Sequence, residues 1–316
     1  MLFHTFWNDV HLLNHPILQL HIQSFLYTQN RRCSHLIVWT LPPFDIRVKN
    51  AYNMIYAPYV EFRSLIEVAY EMRQVGTYND HERAEYDVSI IWLNVSDAGL
   101  VKTRPLFKVD AHWYELPLKL IFNRRPQLSD AARFIILHRL GGLYVDVDTI
   151  YLRDMQPFFK HEFAYHWSIL DAFNTAVLRL FPQSNVSSII IDRARRTRSA
   201  WTFLPSSLHT YSLPTDFHRF PCAFFDPVWL TVDGGDPETN KQWKLSEGLF
   251  EGFKDSFIQR SKISHQGLTA FDGAFTFHWH SSSSGVMYEP GSYVDQWKQF
   301  FDTQVYDQSH KTLVSI

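Results

Sequence analysis

The chain has 316 residues, 46% hydrophobic and 16% aromatic, with a formal net charge of −2. This is the composition of an ordered globular protein with a sizeable core, either one large α/β domain or two small ones. So small a charge gives no bulk electrostatic reason to bind nucleic acid or an anionic membrane surface, and no run reaches the roughly 18 apolar residues that a bilayer span needs.

The opening residues, MLFHTFWND, lack the basic start and apolar centre of a signal peptide, so the chain as written is expected to be soluble and unaddressed. Leu2 to Trp7 reads as a strand, Pro16 to Thr28 as an apolar-periodic helix, and His35 to Leu41 as a second strand that stops at Pro42-Pro43. A strand, helix, strand unit in this position suits the nucleotide-binding half of a Rossmann-like sheet, whose ligands lie beyond the carboxyl ends of the strands. Trp7 closes the first strand either as a face on which a nucleobase stacks or as a core aromatic. Val60 to Leu65 is a further strand. From Gly76 to Pro117 the plain alternation of elements stops. The run Val88 to Val95 within it points to an insertion or a small hairpin-bearing subregion. A helix over about Trp113 to Asn123 is expected to lead into Arg124-Arg125-Pro126. Two cysteines, Cys33 and Cys222, make neither a disulfide framework nor a zinc site and are expected to be buried free thiols. The sequons at Asn94 and Asn185 are too common by chance to argue for a lumenal location.

The stretch Ser129 to Leu152, SDAARFIILHRLGGLYVDVDTIYL, carries the chemistry. Ser129 is expected as an N-cap, followed by a helix from Asp130 to Leu140 that is apolar nearly all round and therefore buried between layers. Gly141-Gly142 ends it, because glycine passes cheaply through the left-handed turn before a strand. On that strand Leu143, Val145 and Val147 point one way, and Tyr144, Asp146 and Asp148 the other. Two ionised carboxylates about 7 Å apart on an apolar strand repel each other unless a cation lies between them or one takes a proton. A hard divalent ion, Mg²⁺ or Mn²⁺, resolves the conflict. Asp130 and Arg133, three apart on the helix, project together, either as part of the same site or as a charge near the helix start and its structural partner.

Beyond Leu152, Phe163 to Leu170 is expected as a strand, and Asn174 follows either as a turn former or as a site residue. Ile189 to Trp201 should be helical, with Arg193, Arg195, Arg196 and Arg198 forming a solvated face or a contact for phosphate or a membrane surface. Pro205 to Asp236, rich in proline and aromatics, has the composition of loops that shape an acceptor pocket. Asp233-Gly-Gly-Asp236 reads as a tight surface turn or a second acidic site. In Phe275-Thr-Phe-His278-Trp279-His280 the two histidines share a strand face, as metal ligands or as core-edge residues, and Ser281 to Ser284 form a hydroxyl-rich loop.

The pattern Ser129, Asp130, Arg133, Gly141, Gly142, Tyr144, Asp146, Asp148 resembles the DXD-containing sugar-binding region of a glycosyltransferase superfamily. Its members include α-1,4-galactosyltransferases, α-1,4-N-acetylglucosaminyltransferases, fungal α-1,6-mannosyltransferases and the glucosyltransferase domains of clostridial toxins. Phe3 to Trp7 is similar to their opening His-x-x-Trp strand, Val60 to Leu65 to a strand of the galactosyltransferase branch, and Asp171 to Val177 to the segment whose asparagine, here Asn174, faces donor sugar and acceptor. The resemblance implies a single GT-A type, Rossmann-like domain over 1–316, with a mixed, mostly parallel sheet flanked by helices. Within it, 1–75 would be the nucleotide-binding half, 76–117 the insertion, and 118–316 the DXD, donor and acceptor half with a C-terminal metal-closing segment. It implies a retaining hexosyltransferase that uses Mn²⁺ or Mg²⁺ and a nucleotide diphosphate sugar. UDP-galactose, UDP-glucose or UDP-N-acetylglucosamine stand ahead of GDP-mannose, and the acceptor is a glycan, glycolipid or protein. Asp148 would ligate the metal, and Asp146 the metal or the ribose. His278, His280 or the loop carrying Ser281 and Ser284 would close the coordination, because a C-terminal His-x-Trp or Ser-x-Trp element does so in related transferases. Asp130 and Arg133 would hold sugar hydroxyls, with Tyr144 supporting that wall. The implied setting is the Golgi or another secretory lumen, with the cytoplasm open.

Two other readings compete. YVDVDTIYL also matches the DxDxT box of haloacid-dehalogenase-type phosphatases, although that box belongs in a first strand and leaves Asp130, Arg133 and the glycine pair unexplained. A non-catalytic nucleotide-sugar-binding protein of the same fold is the other.

Overall fold

The computed structural model describes residues 1–7, 15–40, 58–64, 89–95, 102–109, 112–115, 125–166, 173–190, 217–227, 273–278, 292 and 294–303. The strands are β1 (Leu2–Trp7), β2 (His35–Thr40), β3 (Val60–Ser64), β4 (Ser89–Val95), β5 (Lys102–Val109) and β6 (His112–Glu115). After them come β7 (Gly142–Val145), β8 (Thr149–Tyr151), β9 (Glu162–His166), β10 (Phe173–Leu180), β11 (Phe217–Phe220) and β12 (Thr276–His278). The two long helices are α1 (Pro16–Thr28) and α2 (Arg125–Leu140).

Seven strands form one sheet in the order β11-β9-β10-β7-β1-β2-β3. β1 runs parallel to β2 and β7, β2 to β3, and β9 to β11, while β10 is antiparallel to both β7 and β9. The α/β class and the mixed, mostly parallel sheet are therefore as expected. β8 and β12 make a separate antiparallel pair, and β4, β5 and β6 a three-stranded antiparallel sheet within the stretch where the alternation breaks.

α1 joins the main sheet to the β8/β12 pair. Pro16, whose fixed φ suits a first turn, starts it, and the His15 ring accepts the Ile17 N–H at 3.3 Å. Its residues Leu18, Ile22 and Phe25 pack with Phe3, Leu36, Val38, Leu143 and Val145 of the sheet. Leu20 packs instead with Ile150 of β8, Phe277 of β12 and Phe301. Two polar contacts lock β8 to the helix: the His21 Nδ1–H donates to the Thr149 carbonyl at 2.7 Å, and the Tyr151 N–H donates to Ser24 Oγ at 3.1 Å. Asp148, adjacent to Thr149, is thereby held at the end of a buried layer.

The glycine turn is as expected, with φ of 62° at Gly141 and 110° at Gly142. A Cβ at Gly142 would lie 2.7 Å from both His4 Nε2 and the Leu2 carbonyl oxygen, so the strand can start here only without a side chain. His4 fixes the turn: Trp39 Nε1–H donates to its Nδ1 at 3.1 Å, which leaves the ring proton on Nε2 to donate to the Gly141 carbonyl at 2.9 Å.

Four expectations need correction. α2 begins at Arg125, so Ser129 lies within the helix rather than capping it; Pro126 sits in the first turn, where its missing N–H costs no hydrogen bond. Asp146 and Asp148 are not on the strand: β7 ends at Val145 and the acids occupy the turn into β8. Residues 113–115 of the expected helix belong to β6, and 116–123 lie outside the described residues. Cys33 is exposed and only Cys222 is buried, both as free thiols.

Candidate active site

The site grows from α2 and the carboxyl ends of β1 and β7. Both faces of β7 are covered, and Tyr144 turns to α2, where its hydroxyl shares a 2.9 Å hydrogen bond with Ser129 and Arg133 lies over its ring at 4.9 Å. Arg133 is the hub. Its Nη2 reaches Asp130 at 3.0 Å and Asp146 at 2.9 Å, and its Nη1 donates to Thr175 of β10 at 2.8 Å. Burial works against the guanidinium's charge, but Asp146 and Asp130 outweigh it and hold Arg133 firmly protonated. Burial also pushes the Asp130 carboxyl up to about 6, against the pull of Arg133, and raises Asp146 in the same sense. Burial likewise raises the Tyr144 hydroxyl, so it stays neutral and can donate.

Asp148 meets a second element. β12 pairs with β8 so that His278 stands opposite Thr149, and His278 Nε2 then lies 3.2 Å from Asp148 Oδ1. The other face of the ring is also occupied. Its Nδ1 lies 3.5 Å from Asp226 Oδ2 and 3.4 Å from the Tyr165 hydroxyl, which itself donates to Asp226 Oδ2 at 3.2 Å. Burial disfavours a charged ring, yet Asp148 and Asp226, one at each nitrogen, raise its pKa well above the ordinary imidazole value.

Ligand atoms of Asp146, Asp148 and His278 all lie within 4.8 Å of one another. Donors around a divalent ion at about 2.1 Å stand roughly 3 to 4 Å apart, a spacing the His278–Asp148 pair already has and the third ligand reaches by a small side-chain adjustment. Two carboxylates and an imidazole suit Mn²⁺ or a similar ion better than a soft metal. Coordination at Nε2 requires the proton there to leave, while the Nδ1 proton keeps its acceptors.

The other candidates are placed as follows. Trp7 belongs to the core cluster, 8% exposed, with its ring 5.3 Å from His15 and, among the described residues, no hydrogen-bond partner for Nε1. It lies on the strand beside β7, at the edge where the acids sit. Asn174 is buried, and its side-chain oxygen accepts the Ala176 N–H at 2.8 Å beside an irregularity in the β10 ladder. His280, Ser281 and Ser284 lie outside the described residues, as do Arg193, Arg195, Arg196, Arg198, Asp233 and Asp236. Sequence reasoning missed Thr175, Tyr165 and Asp226. A signal for the last existed: a lone acid inside the aromatic run Pro221 to Trp229 has to be exposed or partnered.

Residues 71–164 match the family model described as "Glycosyltransferase sugar-binding region containing DXD motif". That region of the chain therefore resembles a glycosyltransferase sugar-binding region. The matched stretch contains Asp130, Arg133, Asp146 and Asp148 and stops short of His278. The match favours the sugar-binding reading of YVDVDTIYL over the phosphatase one. No curated protein matches the sequence. Among solved structures, the PaToxG glycosyltransferase is 11% identical over 87% of this chain and 88% of its own, with a TM-score of 0.43. Mouse xyloside xylosyltransferase 1 is 9% identical over 89% and 97%, at 0.42, and the galactosyltransferase LgtC with donor and acceptor sugar analogues is 11% identical over 76% and 82%, at 0.40. The assignment rests on the motif and the family model, not on these superpositions. No helix among the described residues is long and apolar enough to cross a membrane.

Proposed function

We propose that this transferase moves a hexose, with retention of anomeric configuration and with help from Mn²⁺ or Mg²⁺, from a nucleotide diphosphate sugar to a glycan, glycolipid or protein acceptor. UDP-galactose, UDP-glucose and UDP-N-acetylglucosamine lead as donors, with GDP-mannose behind. The observation that carries the reading is the meeting of Asp146, Asp148 and His278, from two separate parts of the chain, within 4.8 Å beside the Arg133 cluster. A cation held there supplies Lewis-acid stabilisation of the charge that builds on the leaving diphosphate.

The chain's own residues do the rest. Arg133 neutralises Asp146 and fixes Asp130, whose remaining lone pairs accept from sugar hydroxyls. Holding the anomeric carbon towards the acceptor in this way lowers the barrier by several kcal/mol. Asp130 and Asp146 are bound to Arg133, and Asp148 and Asp226 to His278, a placement that suits charge fixing better than attack on an anomeric carbon. This supports retention without a carboxylate nucleophile, the usual route in hydrolases. Trp7 and Tyr144 stand as the wall beside the donor, and Asn174 as the contact towards the acceptor. We read 1–316 as one catalytic domain working in a secretory-pathway lumen, with the cytoplasm as the alternative setting.

The test incubates purified protein with Mn²⁺ and a panel of UDP- and GDP-sugars and measures free nucleotide diphosphate. Release with one donor that disappears in Asp148→Ala is expected. Tight donor binding with no release, even when candidate acceptors are supplied, would make the chain a binding module instead.

A further inference from the structure

The segment before β12 contains a carboxylate that neither the motif nor the family match includes. Asp226 is fully buried, follows the short 3-10 turn Cys222–Phe224, and donates its own N–H back to the Cys222 carbonyl at 2.7 Å. That turn is bound directly to the strand carrying His278: the Phe275 N–H donates to the Phe224 carbonyl at 2.7 Å, and the Thr276 hydroxyl donates to the Phe225 carbonyl at 2.8 Å. Tyr165, from β9 of the main sheet, packs on the Phe225 ring at 5.7 Å and reaches the same carboxylate. Three elements therefore converge behind one imidazole.

We propose that Asp226, supported by Tyr165, is the positioning residue of the cation site, holding His278 by its Nδ1 so that Nε2 is presented to an ion between Asp146 and Asp148. The proposal rests on the cation reading above and deepens it. A buried carboxylate needs partners, and two of those Asp226 has among the described residues, the imidazole and the phenol, set it at the back of a ligand. The hydrogen bond at the rear nitrogen sets which tautomer faces the metal and how the ring is turned, and loss of such a partner commonly weakens metal binding ten- to a hundredfold (order of magnitude). Tyr165 acts on the same pair, since its hydroxyl touches both Asp226 Oδ2 and His278 Nδ1.

The test titrates the full chain with Mn²⁺ alone, following free ion by electron paramagnetic resonance and the imidazole nitrogen by its spin-echo modulation on bound Mn²⁺. The wild type should bind with nitrogen modulation, and Asp148→Asn should abolish binding. Asp226→Asn should weaken binding at least about tenfold and alter or remove the nitrogen signal, with the metal-free unfolding midpoint showing whether the fold is kept. Tyr165→Phe leaves the carboxylate in place and is expected to weaken binding roughly two- to tenfold, so it carries the test if the buried amide disturbs folding. Affinity and nitrogen signal unchanged in Tyr165→Phe and in folded Asp226→Asn, while Asp148→Asn abolishes binding, overturn the proposal alone. Binding that survives Asp148→Asn overturns the cation reading itself.

Discussion

Arg133 shows how one side chain can organise a site before any ligand arrives. It neutralises two carboxylates that would otherwise repel each other, spans α2, the turn after β7, and β10, and is itself 5% exposed at the side chain. Replacing it by leucine strands Asp130 and Asp146 together in a low-dielectric setting. Breaking a buried charge cluster from one side costs about 3–5 kcal/mol. The expected result for Arg133→Leu is a fall of that order in urea-unfolding stability, partly restored when Asp130→Asn and Asp146→Asn are added. Restoration would show that the damage is electrostatic, whereas an equally unstable triple variant would point to lost packing against Tyr144.

At the scale of elements, the glycine pair decides whether α2 and β7 can be joined at all. Alanine at position 142 would need φ of 110° and would drive its Cβ into His4 and the Leu2 carbonyl. Strain and overpacking each cost roughly 1–3 kcal/mol, so Gly142→Ala should destabilise by about 2–6 kcal/mol in chemical denaturation. Gly273 supplies the control: its φ is 88°, but no atom of the described residues lies within 4 Å of the Cβ position. Gly273→Ala should therefore show the backbone cost alone, and equal losses in the two variants would argue that the His4 contact is not tight.

For the whole molecule, buried imidazoles link the core to pH. Burial, which disfavours the charged ring, lowers the His4 pKa from 6.5 to about 4. Between those values the unfolded chain binds the proton and the folded chain does not, so the stability His4 contributes is complete above about pH 6.5 and lost towards pH 4. Asp130, Asp146 and His278 shift in the opposite sense, so the net slope is a sum of opposed terms. The His4 part is isolated by comparison: the stability gap between the wild type and His4→Gln should narrow by roughly 2–3 kcal/mol as pH falls from about 7 to about 4.5. A constant gap would mean that the ring is charged or solvated in the folded protein.

Sequence pattern reached much of this architecture. β1, α1 and β2 follow from periodicity with proline at the boundaries, and the Gly141-Gly142 turn from the need for positive φ. Asp130 and Arg133 pair as their spacing requires. The end of β7 was not legible, because a strand covered on both faces has no alternation to mark where it stops. Pro126 masked the start of α2, since proline reads as a breaker although a first turn accepts it. Asp226 and Tyr165 were hidden for another reason: they join His278 only through tertiary packing, and no local spacing encodes that contact.

Asp146, Asp148 and His278 are proposed to share one divalent ion. Crystals soaked with Mn²⁺ and UDP, with data collected at the manganese absorption edge, test it most directly. The account predicts an anomalous peak bonded to all three side chains and to the diphosphate. A peak elsewhere, or nucleotide bound with no ion between those residues, would contradict it.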